Sequence, residues 1–380
     1  MNITLLLAAA FLLQQVHPVT EIERIVKRGM GQGAFPGVVV VVGTVDTILL
    51  ARGYGHLTWS AESPTPSPDS TLYDLASLTK VVATTPALMR LADRGALRLD
   101  APVQRYLKDF HGEGKEAVTV RHLLAHTSGL RAFLPLHTMT DNAQAARARV
   151  MEEPLRRTPG ALAEYSDLNA ILMGWVIEAV TGLPLDTAIA REVTQPLGMT
   201  ETRYRLPRSL HERAAPINRW RGHPIRGVVH DQNAERLNGV SGHAGIYSTG
   251  RDLARYAMMY LGQGRVGPTA YVSDTTVQAF IARGRGNRAL GWEMNDTTTT
   301  DNTGTLLTPR AFGHGGYTGT SMWIDPGTNV FVIILTNRVF APKTSRSIRQ
   351  LKEVRADVAD AAVRLKERTC RLVNPALAGC

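Results

Sequence analysis

Ser77 and Lys80 stand three residues apart, so a helix puts the hydroxyl and the ammonium on one face, one turn from each other. The following run, Lys80 to Arg94 with Gly95 as a stop, predicts that helix, because Val81, Val82, Leu88 and Leu91 recur at roughly helical spacing. Pro86 lies inside it and predicts a kink. Ser77 then falls in the first turn, where unpaired N–H groups and the positive dipole end favour a developing anion. Partly desolvated, Lys80 would hold its proton less tightly and lower the cost of deprotonating the Ser77 hydroxyl. The chemistry is nucleophilic catalysis by serine. Ser-x-x-Lys occurs by chance in many chains, so the reading rests on two further segments.

The second is Glu164-Tyr165-Ser166-Asp167-Leu168-Asn169, at the entrance of a helix. A tyrosine near a serine and a lysine can carry a proton: its phenolate takes the hydroxyl proton and passes it to the leaving group. The plainer reading is a half-buried packing residue. The third is Phe312-Gly313-His314-Gly315-Gly316-Tyr317, on a strand. Glycines around one histidine let a substrate backbone approach the strand edge, which can take an extended ligand as an added strand. A backbone N–H just past them can share an oxyanion with the Ser77 N–H.

In this order the three segments resemble the serine β-lactamase and penicillin-recognising enzyme superfamily, nearest its class C, D-alanyl-D-alanine carboxypeptidase and esterase-like branch. That family shows Ser-x-x-Lys, then Tyr-x-Asn, then Lys/His-x-Gly. Phe35-Pro36-Gly37, the run His122 to Leu130 and Trp323-Ile324-Asp325-Pro326 are similar to the family's supporting text, and the likeness spans about residues 21–340. Val229 to Ala234 with Gly242-His243-Ala244-Gly245 resembles a subgroup of bacterial serine hydrolases within it. The resemblance implies Ser77 as acylated nucleophile, Lys80 as its cationic or basic partner, and Tyr165 as general base and then acid. It implies an oxyanion hole from the Ser77 and Tyr317 N–H groups, with Asp167, His314, Gly316 and Tyr317 facing substrate. No metal or organic cofactor is implied.

Two positions depart from the family pattern. Asp167 replaces the usual asparagine, and an ionised aspartate accepts hydrogen bonds where an amide could also donate. It would repel a carboxylate and hold Lys80 charged. His314 stands where β-lactamases of this branch carry lysine, and a mostly neutral imidazole attracts a carboxylate less. Both argue against an efficient β-lactamase and suit a peptidase or esterase with an amine-bearing or neutral ligand.

Strand signals occur at both ends of the chain: Val38 to Val42, Thr47 to Arg52, Ala311 to Tyr317, Thr320 to Ile324 and Asn329 to Thr336. Between them, Leu97 to about Leu261 reads mainly as helix, with Leu168 to Val180 apolar all round and stopped by Gly182, and with an irregular stretch from Pro207 to Ala244. Glu21 to Met30 and Ser345 to Lys366 read as terminal helices. The predicted class is α+β: one antiparallel sheet built from both chain ends, flanked by the terminal helices, with a mostly helical lobe inserted. Residues 20–380 form one catalytic unit, its α/β lobe from about 20–76 plus 300–369 and its helical lobe from about 77–299.

The chain has 380 residues and a net charge of +10. No Lys/Arg run interleaved with aromatics appears, so nucleic acid is not an expected partner. Residues 1–19 read as an export signal around the apolar run Ile3 to Leu13, too short to span a membrane. The expected location is periplasmic or secreted, with no stable membrane span in the mature chain. Cys370 and Cys380 could close a small terminal loop, or remain free thiols.

Competing motifs are weaker. Gly29 to Gly33 lacks the strand and the Gly-Lys-Ser/Thr of a phosphate loop. His122 and His126 have metal-pair spacing without a following glutamate, and anchoring of the Thr127-Ser128-Gly129 turn is the better reading. His230, Asp231 and His243 are read as shaping the cleft rather than binding metal. The expected protein is a serine hydrolase acting on D-amino-acid peptides or related amides, with small-molecule or peptide substrates and peptidoglycan as the candidate partner. Carboxylesterase or weak β-lactamase activity is the near alternative. A catalytically silent binder of cell-wall peptides is the rival of another class.

Overall fold

The structure, a computed structural model, describes residues 18–220, 223–299, 301–340 and 347–373. The export-signal segment up to residue 17 and Cys380 lie outside them. Cys370 is disulfide-bonded.

Five consecutive valines set the layering. They form β1, Gly37–Gly43, buried along its whole length. Side chains alternate along a strand, so Val39 and Val41 enter one apolar cluster while Val38, Val40 and Val42 enter another. Both faces of the sheet must therefore be covered. On one side lie α1 (Pro18–Gly31) and the C-terminal helix Ser347–Val373, whose Ile22, Val26, Leu351 and Val358 join Val38 and Val40. On the other lie the helical lobe and the helix Gly250–Leu261. Each fully buried aliphatic side chain contributes about 1.5–3 kcal/mol.

β1 pairs with β2 (Ile48–Gly55) and, on its other edge, with β9 (Val330–Thr336), where Val40 faces Ile334. The sheet continues through β8 (Ser321–Asp325) and β7 (Phe312–Gly315) to the two-residue β6 (Glu293–Met294), in the order β6-β7-β8-β9-β1-β2, all antiparallel. The two chain ends thus meet in one sheet, as expected for the α+β class. Among the described residues no single helix is long and apolar enough to cross a membrane.

Two expectations are corrected. The region read as helical contributes two strands to a second, small sheet: β4 (Arg203–Tyr204) and, from just ahead of that region, β3 (Tyr73–Asp74) both pair with β5 (Ile246–Ser248). Strands this short leave no alternation to read. The predicted helix from Lys80 is two pieces, a π-helical turn Lys80–Thr84 and α2, Thr85–Asp93, and Ser77 lies ahead of it in a separate 3-10 turn, Ala76–Leu78. Pro86 lies in the first turn of α2, where its missing N–H costs nothing. It cannot donate back to Val82, and the ladder instead runs from the Thr85 N–H to the Lys80 carbonyl. The π-helical turn therefore lies directly ahead of the proline.

Candidate active site

β3 leads into the turn that carries Ser77. Ala76 adopts φ 47°, a left-handed conformation uncommon outside glycine. Two hydrogen bonds hold the turn: the Ala76 N–H donates to Asp74 Oδ1 at 2.8 Å and the Leu75 N–H to the Ile246 carbonyl at 3.0 Å. Ser77 then sits at the mouth of a cleft of about 360 Å³ lined also by Tyr165, Arg288, Glu293, His314 and Arg355.

Lys80 lies behind Ser77 and is 1% exposed. It meets Asp167 Oδ1 at 2.8 Å, Ser77 Oγ at 3.0 Å and the His243 carbonyl at 3.1 Å. The Ser77 and His243 oxygens accept hydrogen bonds, and the Asp167 carboxylate forms an ion pair. Burial works to lower its pKa, but the Asp167 carboxylate, and after it Tyr165, outweigh burial and raise it. Lys80 is a fixed cation that donates to Ser77, which corrects the picture of a lysine losing its proton affinity. The converse holds at Asp167: burial opposes ionisation, yet Lys80 and then His243 keep the carboxyl below its ordinary range.

Tyr165 precedes Ser166 and Asp167, where the buried helix Asp167–Thr181 begins. Its main chain is braced from one side by His126. The His126 carbonyl accepts from the Glu164 N–H at 2.8 Å, and His126 Nδ1 accepts from the Ser166 N–H at 3.1 Å. The two rings lie 4.9 Å apart. Burial drives the His126 pKa well down, so the ring stays an acceptor. Lys80 Nζ and the Arg288 guanidinium lie 5.1 Å and 5.3 Å from the Tyr165 ring centroid.

His314 faces Tyr165 at 5.6 Å between ring centroids and meets the Gly315 carbonyl through Nδ1 at 2.8 Å. Burial first, then Lys80 and Arg288, push its pKa down to about 3, so the imidazole is neutral. Strand β7 ends at Gly315, and Gly316 begins a turn in which its N–H donates to the Thr320 carbonyl at 2.7 Å. The glycines of this segment serve the protein more than the ligand. A Cβ on Gly313 would lie 2.4 Å from the Trp323 ring, and one on Gly316 would lie 2.4 Å from the Leu75 carbonyl. Only a Cβ on Gly315 meets nothing closer than 3.4 Å, at Arg355 Nη1. Gly316 lets the end of β7 close against the segment leading to Ser77. Tyr317 follows, its ring between His230 and Arg338, and among the described residues its N–H donates to no protein acceptor.

Two participants escaped the sequence reading, and two read as structural have a closer part. Arg288 and Arg355 line the cleft, and Arg288 Nη1 and Arg355 Nε are buried with no hydrogen-bond partner. His126 braces Tyr165, and the His243 main chain holds Lys80. His243 is pinned in turn: Nε2 meets Asp231 Oδ1 at 3.0 Å and Nδ1 meets Ser241 Oγ at 2.7 Å. No described group of three or more His, Cys, Asp or Glu side chains could hold a metal ion.

A serine, a buried lysine and a tyrosine converging between an α/β sheet and a helical lobe define a serine hydrolase of the penicillin-recognising kind. The chain belongs to the Beta-lactamase family, whose model matches residues 22–356. A relative in Escherichia coli O157:H7 named "Putative D-alanyl-D-alanine carboxypeptidase" is 28% identical over 368 residues, covering 86% of this chain and 84% of the relative. One of the same name in Escherichia coli strain K12 is 30% identical over 317 residues, covering 74% and 72%. Among solved structures, EstCE1, a hydrolase with promiscuous acyltransferase activity, aligns with a TM-score of 0.74 at 21% identity over 90% of this chain and 98% of that one. A class C β-lactamase from Rhodobacter sphaeroides aligns at 0.71 and 20% over the same shares. These two likenesses establish the fold.

Proposed function

We propose that the protein is a D,D-carboxypeptidase-like enzyme that cleaves D-amino-acid peptides through an acyl-enzyme on Ser77. The observation that carries the substrate class is the pair of guanidinium groups, Arg288 and Arg355, that line the Ser77 cleft. A ligand carboxylate there would gain charge-assisted hydrogen bonds. His314 is neutral and does not supply that charge, so the arginines replace the missing lysine. This favours a carboxylate-bearing ligand over the neutral or amine-bearing one suggested by Asp167 and His314 alone. The relatives' name points the same way.

In this reading Lys80, already a donor to Ser77 Oγ, cannot take its proton. Tyr165, flanked by Lys80 and Arg288, takes it instead. Ser77 attacks the peptide carbonyl, and the oxyanion is received by the N–H groups of Ser77 and Tyr317. Tyr165 returns the proton to the leaving amine, and water then hydrolyses the ester. The Ile3 to Leu13 run supports export, with peptidoglycan stem peptides as the natural substrate.

Two outcomes test this. Tyr165→Phe leaves the fold intact and lowers kcat by about 10²–10⁴. An N-acylated peptide ending in D-alanyl-D-alanine releases D-alanine, and Arg288→Gln lowers the ratio of peptide to p-nitrophenyl acetate kcat/KM at least about tenfold, as loss of a charge-assisted hydrogen bond requires. Turnover of the ester with no D-alanine released would replace the peptidase reading with the esterase one.

A further inference from the structure

Both walls that would hold the oxyanion are tied to one buried residue that none of the motifs contains. Asp74 ends β3 and is 3% exposed. Oδ1 accepts from the Ala76 N–H at 2.8 Å, one residue before Ser77. Oδ2 accepts from the His230 N–H at 2.7 Å, and the His230 ring lies 5.5 Å from the Tyr317 ring. The Asp74 carbonyl accepts from Thr318 Oγ1 at 2.7 Å, beside Tyr317, and the Leu75 carbonyl accepts from Thr320 Oγ1 at 3.0 Å. One residue therefore joins the Ser77 turn, the His230 loop and the turn after β7.

We propose that Asp74 is a positioning residue: as a carboxylate it holds the Ser77 and Tyr317 backbone N–H groups at the separation an oxyanion requires, and protonating it loosens both. The inference rests on the Ser77 acyl-enzyme reading but not on the peptide as substrate. Each Asp74 carboxylate oxygen accepts one of the backbone N–H bonds. Protonation turns one oxygen into a hydroxyl, a weaker acceptor whose own O–H must also be accommodated. One N–H then loses its strong acceptor at a site with little access to water. The left-handed Ala76 depends on such bonds, since strained backbone persists only where its surroundings over-determine it.

The carboxyl titrates in a useful range. Burial raises its pKa to about 6, opposed by the His230 and Ala76 N–H groups and aided by Asp231. Tyr247 lies opposite on β5, and burial pushes its own pKa above the ordinary range, so it stays neutral. His230, on the facing loop, has its pKa lowered by burial, against the pull of Asp231. Asp74 is thus ionised at neutral pH, and activity falls as pH drops through about 6.

The experiment uses p-nitrophenyl acetate, which reports on acyl transfer at Ser77 whichever substrate class is natural. The wild type shows an acid limb in kcat near pH 6. Asp74→Asn is locked in the one-acceptor state: kcat at pH 7.5 falls about ten- to hundredfold, as a misplaced reacting group does, KM stays within about threefold, and the limb near 6 disappears. His230→Asn keeps its backbone N–H and keeps the limb. Were the limb to persist in Asp74→Asn, or to vanish in His230→Asn instead, the proposal would be overturned. If Asp74→Asn does not fold, amide exchange in the wild type decides: protection at Ala76 and His230 drops together below pH 6, and unchanged protection overturns the idea. No hydrolysis of the ester by a folded wild type, and no adduct with benzylpenicillin, would sink the Ser77 reading itself, a distinct result.

Discussion

Ser77→Ala abolishes hydrolysis of both ester and peptide, by about four to six orders of magnitude, the scale on which other serine hydrolases lose kcat with their nucleophile. The fold survives. Lys80 keeps Asp167 and the His243 carbonyl as partners after losing Ser77 Oγ, so stability falls by no more than about 1–3 kcal/mol. Intact-protein mass spectrometry after mixing with benzylpenicillin checks the point. The wild type gains a stable penicilloyl mass and Ser77→Ala gains none, as expected of a peptidase that releases its acyl group slowly. Drug consumed without an adduct would define a true β-lactamase. An intact drug with active ester hydrolysis would define an esterase. An inert wild type that binds cell-wall peptide as tightly as Ser77→Ala does would define a binder.

Lys80→Met carries the second large effect, and it falls on stability as well as activity. Asp167 is held ionised by Lys80 at 2.8 Å, with its side chain 19% exposed against 2% for the lysine. Removing the cation strands a mostly buried carboxylate, which costs about 3–5 kcal/mol. Activity falls at least about 10³-fold, because the Ser77 hydroxyl loses its donor and Tyr165 a flanking charge. Lys80→Met with Asp167→Asn recovers most of the stability and none of the activity, a non-additivity that urea unfolding and ester kinetics separate.

The pH dependence of the pair follows from its shifts. Asp167 is lowered in the folded state, so its contribution is present above the unfolded carboxyl value of about 3.9 and is lost as pH falls below it. Lys80 is raised, so its contribution is present below about 10.4 and is lost as pH rises through its folded value. Wild-type unfolding free energy therefore loses the pair's share at both extremes, and Lys80→Met with Asp167→Asn lacks that share.

The sequence by itself determined what is local. Ser77 and Lys80 share a turn whatever its exact pitch, five β-branched valines in a row read as a buried strand, and glycines around His314 mark a place where backbones come close. The order of three motifs along the chain was enough to identify the α+β family. Tertiary structure alone decided the charge states and the company each group keeps. Lys80 is a cation because the start of the Asp167–Thr181 helix packs 2.8 Å from it. Two glycines beside His314 serve the protein, since Trp323 and Leu75 fill the space a Cβ would need. The cleft's positive wall joins a loop before β6 to the C-terminal helix, and Asp74 joins three segments far apart in the chain. Side-chain period and turn chemistry report a residue's own element. A pKa, an unpartnered N–H and a shared acceptor depend on atoms brought together by long-range packing, and no local pattern encodes those neighbours.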